Sequence, residues 1–352
     1  MASPELSQSL HSVIESYLLD GPRRYSREDV AELSGVPADL SQRLWISLGF
    51  AANPDTEALD FTDGDVKAVR TFRGLGSLAD VDVRRQQAAA RTIGQSMARL
   101  AEWQVDLVAA EIANRIRGLT AADPELDEAD AARTATEEVV AEILSLQAYA
   151  WRRHLAAALA RTSPGGGNAE SLRAVAVGFA DMVGYTRLTR HLDPDELNDL
   201  LESFETITTE AITANGGWVL KNVGDEVMYV AETAVAGARI SLAIQEATVE
   251  AAATPDLRVG LAYGRVLQRF GDLYGSVVNT AARLTGVARP GAVLVDDGVA
   301  TELADEPEFT LRHLRAVRVR GISRLRPHLL RRAGQPNGRL GSDRRRFRES
   351  RK

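Results

Sequence analysis

The spacing of apolar positions changes once along the chain and divides it into two halves. In residues 1–161 apolar side chains recur every three or four positions, which predicts helices, the last two being long ones over residues 80–117 and 124–161. After residue 171, short apolar runs alternate with amphipathic stretches. The run 172–180 is almost continuously apolar, which is typical of a strand buried on both faces.

The second half follows the order β-α-β-β-α-β. Asp193-Pro194 begins a helix with an acidic cap and proline in its first turn, and Gly224-Asp225 separates two short strands as in a hairpin. We therefore predict an α+β fold, in which an all-helical N-terminal domain precedes a ferredoxin-like βαββαβ domain.

Composition changes mark the expected domain boundaries. We predict a helical domain over 1–161, a Gly-rich linker over 162–170, a mixed domain over 171–332 and a basic, disordered tail over 333–352.

The chain has no cysteine, which excludes disulfides and thiolate metal sites. It shows neither a signal peptide nor an apolar run long enough to span a bilayer, so we expect a cytoplasmic protein.

Two features of the N-terminal half allow alternative interpretations. Leu100, Trp103 and Leu107 form an apolar stripe, which predicts either a core or a dimer seam. The helices on either side of Gly35 resemble a DNA-binding helix-turn-helix, but Arg43 is the main basic residue of the second helix. We therefore expect no nucleic-acid partner.

Two carboxylates stand where strands end in the second half. Asp181 follows the buried run, and Asp225 occupies the hairpin turn. If neighbouring strands bring them together, they can hold Mg²⁺ or Mn²⁺, with water and phosphate completing the coordination shell. The alternative is that Asp225 only forms the turn and Asp181 only caps a strand.

Residues 271–284 indicate a loop that turns into a helix, with Ser276 as the expected N-cap. Asn279 and Arg283 are four residues apart and share a helical face, from which Arg283 can donate to a phosphate. Asp272, in the preceding loop, can accept from an amino group. Lys221 is either a solvated surface residue or a reader of a base edge.

These residues resemble the motifs of the class III nucleotidyl cyclases. The resemblance covers about residues 171–330 and rests on Phe179-Ala180-Asp181, Lys221-Asn222-Val223-Gly224-Asp225 and the stretch from Asp272 through Asn279 to Arg283. It implies that Asp181 and Asp225 bind two metal ions, Mg²⁺ or Mn²⁺, in each active site. It also implies that Lys221 and Asp272 recognise adenine, Asn279 orients the ribose, and Arg283 stabilises the charged phosphate.

The expected function is therefore adenylate cyclase, which converts ATP to 3′,5′-cyclic AMP and pyrophosphate. Family sites lie between two catalytic domains, and one copy of each residue set implies a homodimer with two equivalent sites. The N-terminal half resembles the helical regulatory domains of soluble actinobacterial cyclases. That resemblance implies autoinhibition, activation in acid, and a fatty acid as candidate ligand; His154 and His191 are candidate sensors.

Two other functions remain open from the sequence. One is a signalling regulator that binds nucleotide or DNA without catalysis, although all six family positions are filled. The other is a cyclase that uses GTP or makes cyclic dinucleotides. Lys221 and Asp272 disfavour GTP, because guanine presents the opposite hydrogen-bonding polarity at the same edge.

Overall fold

The computed structural model describes residues 8–74, 83–161, 172–251, 254–319 and 322–334. The chain divides into two compact units, Met1–Gly165 and Gly166–Lys352, and each is described by itself. The predicted linker and most of the predicted basic tail lie outside the described residues. Within the described ranges, no helix combines the length and the apolar character that crossing a membrane requires.

The described part of the first unit is helical, as predicted. Its helices are α1 (Gln8–Leu18), α2 (Arg27–Ser34), α3 (Ala38–Ser47), α4 (Asp63–Gly74), α5 (Val83–Ala122) and α6 (Glu128–Ala160). Helix α2 begins at a capping box, in which Ser26 and Asp29 satisfy each other's backbone N–H groups. Gly35 ends it in the left-handed conformation, with φ 66°. On α3, Arg43 forms an ion pair with Asp39.

Helices α5 and α6 pack on each other through small and branched side chains. Ile112 is fully buried against Ala135 and Val139. The predicted stripe on α5 faces elsewhere, because Trp103 is 68% exposed and Leu107 is 51% exposed. Trp103 and Leu107 are therefore not part of the packed core among the described residues.

The second unit has a mixed sheet with helices on both faces. Its elements are β1 (Leu172–Met182), α7 (Tyr185–Leu188), α8 (Pro194–Ala214), β2 (Trp218–Val223), β3 (Glu226–Ala231), α9 (Ala234–Ala251), β4 (Leu257–Arg269), β5 (Asp272–Tyr274), α10 (Ser276–Val287), β6 (Val293–Val295), α11 (Asp297–Glu302), β7 (Phe309–His313), β8 (Val317–Val319), β9 (Ile322–Leu325) and β10 (His328–Arg332).

The strand order is β2-β3-β1-β4-β6-β10-β7, with β5 paired to β4 and a separate β8-β9 ribbon. The first four strands are antiparallel to one another and have the ferredoxin-like order, so the predicted α+β fold is confirmed. Strand β4 pairs in parallel with β6. The strands beyond β4 extend this unit.

Burial on both faces places β1 at the centre of the sheet. All residues from Val175 to Ala180 are buried, as the continuous apolar run predicted. Phe204 of α8 and Ile244 of α9 cover one face. Val277 and Ala281 of α10 cover the other face, where the residues with candidate chemistry lie.

Candidate active site

A row of charged side chains crosses one end of the sheet. Asp181 on β1 lies opposite Glu226 on β3 and opposite Arg258 on β4. Residues opposite each other on antiparallel strands share a face, so all three side chains project from the α10 side. Arg258 forms an ion pair with Asp181, whose side chain is 16% exposed.

Asp225 extends this row from the turn between β2 and β3. Gly224, with φ 61°, makes the turn, and the Met182 N–H donates to the Asp225 carbonyl at 3.0 Å. Burial raises the pKa of the Asp225 carboxyl, and the nearby charge of Asp181 raises it further. The bond from the Met182 N–H places Asp225 at the end of β1 beside Asp181, so the two residues converge as predicted.

A second charged pair joins β2 to β5. Lys221 Nζ lies 3.0 Å from Oδ2 and 3.1 Å from Oδ1 of Asp272. The Leu273 N–H donates to Asp272 Oδ1 at 2.9 Å, which fixes the carboxylate. Asp272 was expected in a loop, but it begins β5, because pairing with Arg269 extends the β4 ladder past the turn.

Helix α10 carries Asn279 and Arg283 on its exposed face. The expected N-cap was wrong: Gly275, with φ 136°, is the cap residue and Ser276 is already helical. Close packing fixes the helix against the sheet, because a Cβ on Gly260 would lie 2.3 Å from the Thr285 nitrogen. Arg283 makes no ion pair or side-chain hydrogen bond within the described residues.

The six predicted residues thus form separate groups in one chain. Asp181 and Asp225 lie together, and Lys221 pairs with Asp272. Among the described residues, no hydrogen bond or ion pair links the first pair to the second or either pair to Asn279 or Arg283.

Sequence reasoning missed Arg258 and Glu226. Both are recognisable only through strand register, since they lie 77 and 45 positions from Asp181 in the chain. Burial raises the pKa of the Glu226 carboxyl, and the charges of Asp181 and Asp225 add to that effect. Arg258 Nε is buried without a hydrogen-bond partner among the described residues, which leaves one donor available to an anion.

Asp181 and Asp225 alone supply too few ligands for a divalent cation. No cluster of three or more His, Cys, Asp or Glu side chains suited to a metal occurs in the described ranges. Two mutually repelling carboxylates are nevertheless the hard oxygen donors that Mg²⁺ and Mn²⁺ prefer, and substrate phosphates commonly supply further ligands. The residues present therefore fit a metal site that forms together with a nucleotide.

Comparison with known proteins identifies the family. The family described as "Adenylate and Guanylate cyclase catalytic domain" matches residues 168–332. An adenylate cyclase of Streptomyces coelicolor is 39% identical over 292 residues, which are 82% of this chain and 74% of that protein. A pH-sensitive adenylate cyclase of Mycobacterium tuberculosis is 32% identical over 80% of this chain and 71% of its own length.

Among solved structures, an adenylate/guanylate cyclase/hydrolase from Silicibacter pomeroyi is 30% identical, covers 46% of this chain and 97% of its own, and gives a TM-score of 0.42. The decisive similarity is to relatives named adenylate cyclase, because it extends through both halves of this chain and covers more than two thirds of each relative. The chain therefore belongs to the class III adenylate cyclases and is an adenylate cyclase.

Proposed function

We propose that the enzyme cyclises ATP at a site shared by two copies of the chain, with Asp181 and Asp225 holding two Mg²⁺ or Mn²⁺ ions. The observation that carries the proposal is the pairing of these two carboxylates at one end of the sheet, beside an arginine with an unused donor. When bound, the metals would neutralise phosphate charge and favour ionisation of the attacking hydroxyl.

Lys221 and Asp272 are proposed to read the adenine. Their contact positions a donor and an acceptor side by side. Lys221 would donate to N1, and Asp272 would accept from the 6-amino group. Guanine offers an N–H and a carbonyl at these positions, so the same pair would leave both of its polar groups poorly matched.

Asn279 and Arg283 are proposed to act on the ribose and the phosphate. Both project from one exposed face of α10. Asn279 would orient the ribose, and the free guanidinium of Arg283 would stabilise charge on the α-phosphate. Arg258 would move from Asp181 to a phosphate oxygen, which would also satisfy its buried Nε.

In the proposed reaction the ribose 3′-oxygen attacks the α-phosphorus. A new O–P bond forms, the bond between the α-phosphorus and the bridging oxygen breaks, and pyrophosphate leaves. The hydroxyl proton passes to solvent. These residues would contribute mainly positioning and charge stabilisation, as is general for phosphoryl transfer.

The separate groups described above support a site shared between two chains. A mixing experiment tests this arrangement, using Asp225→Asn and Arg283→Ala, each expected to be inactive alone. Random exchange makes half of the dimers mixed, and each mixed dimer contains one intact site. Activity should therefore return to about one quarter of the wild-type value, since half of the sites in half of the dimers are intact.

Two results would contradict the shared site. Full inactivity of the mixture, with mixed dimers verified by mass spectrometry, would place all the residues in one chain. Substantial activity of purified monomers would do the same. Either result would leave the assignment of cyclase activity untouched.

The helical domain, residues 1–161, is proposed to dimerise and to regulate the enzyme. Trp103, Leu107, Trp151 and Leu155 are each more than 40% exposed, and such large apolar surfaces usually meet a partner, here a second copy. A pH-sensitive relative supports acid control. His154 and His191 are both exposed. The fatty-acid ligand, the absence of a nucleic-acid partner and the cytoplasmic location stay predictions.

Comparison of the full chain with residues 165–352 tests this regulation. Acid should raise the activity of the full chain more than that of the shorter chain between pH 5 and pH 8, in a range where histidine titrates. Identical pH profiles of the full chain and residues 165–352 would contradict the proposal.

A further inference from the structure

A concave site lies on the second unit, lined by residues with no part in the proposed reaction. We call it the arginine groove and define it by Arg289, Arg312, Arg315, Arg331, Leu314 and Leu329; its volume is about 650 Å³. That volume is within the range of roughly 300–1,000 Å³ typical of small-molecule sites.

The floor of the arginine groove is apolar because of strand register. Leu329 on β10 lies opposite Leu294 on β6 and Arg312 on β7, so these side chains share a face. Leu314 continues the floor beyond β7, and Val287 at the end of α10 remains 38% exposed.

The rim carries four guanidinium groups from separate segments. Arg289 follows α10, Arg312 lies on β7, Arg315 follows β7, and Arg331 lies on β10. Among the described residues that line the groove, Asp256 is the only acid. Arg289, Arg312 and Arg315 have no ion pair or side-chain hydrogen bond with any described residue, and all three are exposed.

This lack of partners contrasts with neighbouring arginines of the same unit. Arg332, adjacent to Arg331, contacts both carboxylate oxygens of Glu246 at 2.6 and 3.1 Å. Arg239 is paired in the same way with Glu308. The whole chain carries 49 acidic and only 42 basic residues, so acids are plentiful for pairing elsewhere.

We propose that the arginine groove binds a small organic ligand that carries two or more anionic groups on an apolar body. Guanidinium groups bind phosphate and carboxylate through paired hydrogen bonds. Unpaired charges on several sides favour a ligand with several anionic groups, and the leucine floor favours an apolar body between them. The concave shape favours a small molecule over a flat macromolecular surface.

Such a ligand would regulate cyclisation. Val287 is the last residue of α10 and Arg289 follows the helix, which also carries Asn279 and Arg283. This regulatory consequence rests on the proposed function, whereas binding in the groove does not.

Calorimetry on the full chain at low salt tests the binding. The probe is naphthalene-1,5-disulfonate, with ethane-1,2-disulfonate as a probe of equal charge and smaller apolar body. Arg312→Gln/Arg315→Gln should weaken naphthalene-disulfonate binding at least tenfold. The matched control Arg91→Gln/Arg99→Gln removes equal charge from exposed positions of α5 and should change binding less than twofold.

Two further measurements locate the bound probe. Arg283→Gln should leave binding unchanged, which separates the groove from the active site. The ethane probe should bind wild type at least fivefold more weakly, because it leaves the floor uncovered. Arg289→Gln serves as an independent variant if the double variant melts at a lower temperature.

The proposal is overturned by equal affinity in wild type and Arg312→Gln/Arg315→Gln, or by no measurable binding of the naphthalene probe to wild type at 1 mM. It is also overturned if Arg283→Gln alone abolishes binding. None of these results depends on cyclase activity, so they leave the proposed reaction unaffected.

Discussion

The ammonium group of Lys221 lies almost equally far from the two carboxylate oxygens of Asp272, at 3.0 and 3.1 Å. Each side chain is partly exposed, so the pair contributes little to stability. In the proposed recognition of adenine, this contact would hold both side chains in position before the base arrives.

Replacing Asp272 by Asn should reduce discrimination between ATP and GTP. The amide can present either a donor or an acceptor, so the requirement for a 6-amino group is relaxed. We expect kcat/KM for ATP to fall by about 10- to 100-fold, as for loss of a charged hydrogen bond. Steady-state rates with both nucleotides measure the effect.

Asp305→Asn is the control for this change, since Asp305 is an exposed aspartate in the same unit. It should leave both rates unchanged. An unaltered ATP-to-GTP ratio in Asp272→Asn would exclude Asp272 from base recognition.

Replacing Asp225 by Asn should stabilise the metal-free protein while abolishing activity. Burial and Asp181 raise the pKa of Asp225, so its charged form destabilises the fold. That penalty is present above the raised folded-state pKa and vanishes below the ordinary value of about 4. The variant should melt about 1–4 °C higher at pH 7, with no difference in acid.

Melting curves at pH 7 and near pH 3.5, without metal and with a chelator, measure this prediction. Asp199→Asn, an exposed aspartate on α8, is the control. A variant that melts lower than wild type at pH 7 would show that Asp225 stabilises its turn instead.

Glu226→Gln should weaken metal binding without removing it. Glu226 lies opposite Asp181 and adds negative charge beside the proposed ligands. Loss of about 1 kcal/mol of attraction corresponds to a roughly fivefold weaker affinity for Mn²⁺. Electron paramagnetic resonance of free Mn²⁺, in the presence of a non-cyclisable ATP analogue, measures it.

Glu302→Gln provides the comparison, because Glu302 is exposed at the end of α11. If both variants bind Mn²⁺ like wild type, Glu226 has no electrostatic effect at the site.

Gly260→Ala should displace α10 and lower kcat at least tenfold. The added Cβ would lie 2.3 Å from the Thr285 nitrogen and 2.5 Å from the Ala281 oxygen, both backbone atoms that cannot rotate away. Such overpacking typically costs about 1–3 kcal/mol. A shift of the helix would also misplace Asn279 and Arg283, and positioning errors of about 1 Å can reduce rates roughly 100-fold.

Gly286→Ala is the matched control on α10 itself. Nothing lies within 4 Å of the position that a Cβ would take there, so alanine should increase helix stability by up to about 1 kcal/mol and preserve activity. Normal kcat in Gly260→Ala would mean that the helix position is not critical.

Patterns within one segment predicted the fold well. The capping box at Asp193 and Glu196 begins α8 where expected, and the apolar run over β1 is buried on both faces. The buried or exposed state of the long helices was not predictable in the same way. The apolar stripe that contains Trp103 is the same whether it packs in a core or faces a partner, so the sequence pattern does not predict its 68% exposure.

The sequence predicted those residues of the candidate site that belong to recognisable motifs. Asp181 and Asp225 do converge, and Lys221 does meet Asp272, but their catalytic roles stay predictions. Arg258 and Glu226 were not predicted, because only the register of the paired strands β1, β3 and β4 places them opposite Asp181. The unpaired state of Arg289 and Arg312 was likewise invisible without the packing around them.

With Asp181 as a proposed metal ligand, its ion pair with Arg258 would link the affinities for metal and nucleotide. If Asp181 takes a metal ion as proposed, Arg258 gives up its ion pair, and its guanidinium keeps only the weaker attraction of Asp225 and Glu226. A nucleotide phosphate would accept hydrogen bonds from that guanidinium. Each ligand would therefore offset the free energy that the other loses when the ion pair breaks. By thermodynamic reciprocity, metal and nucleotide should each raise the affinity for the other by the same factor. In the resting enzyme an arginine therefore already neutralises one proposed metal ligand, and either ligand arriving alone should bind more weakly than the two together.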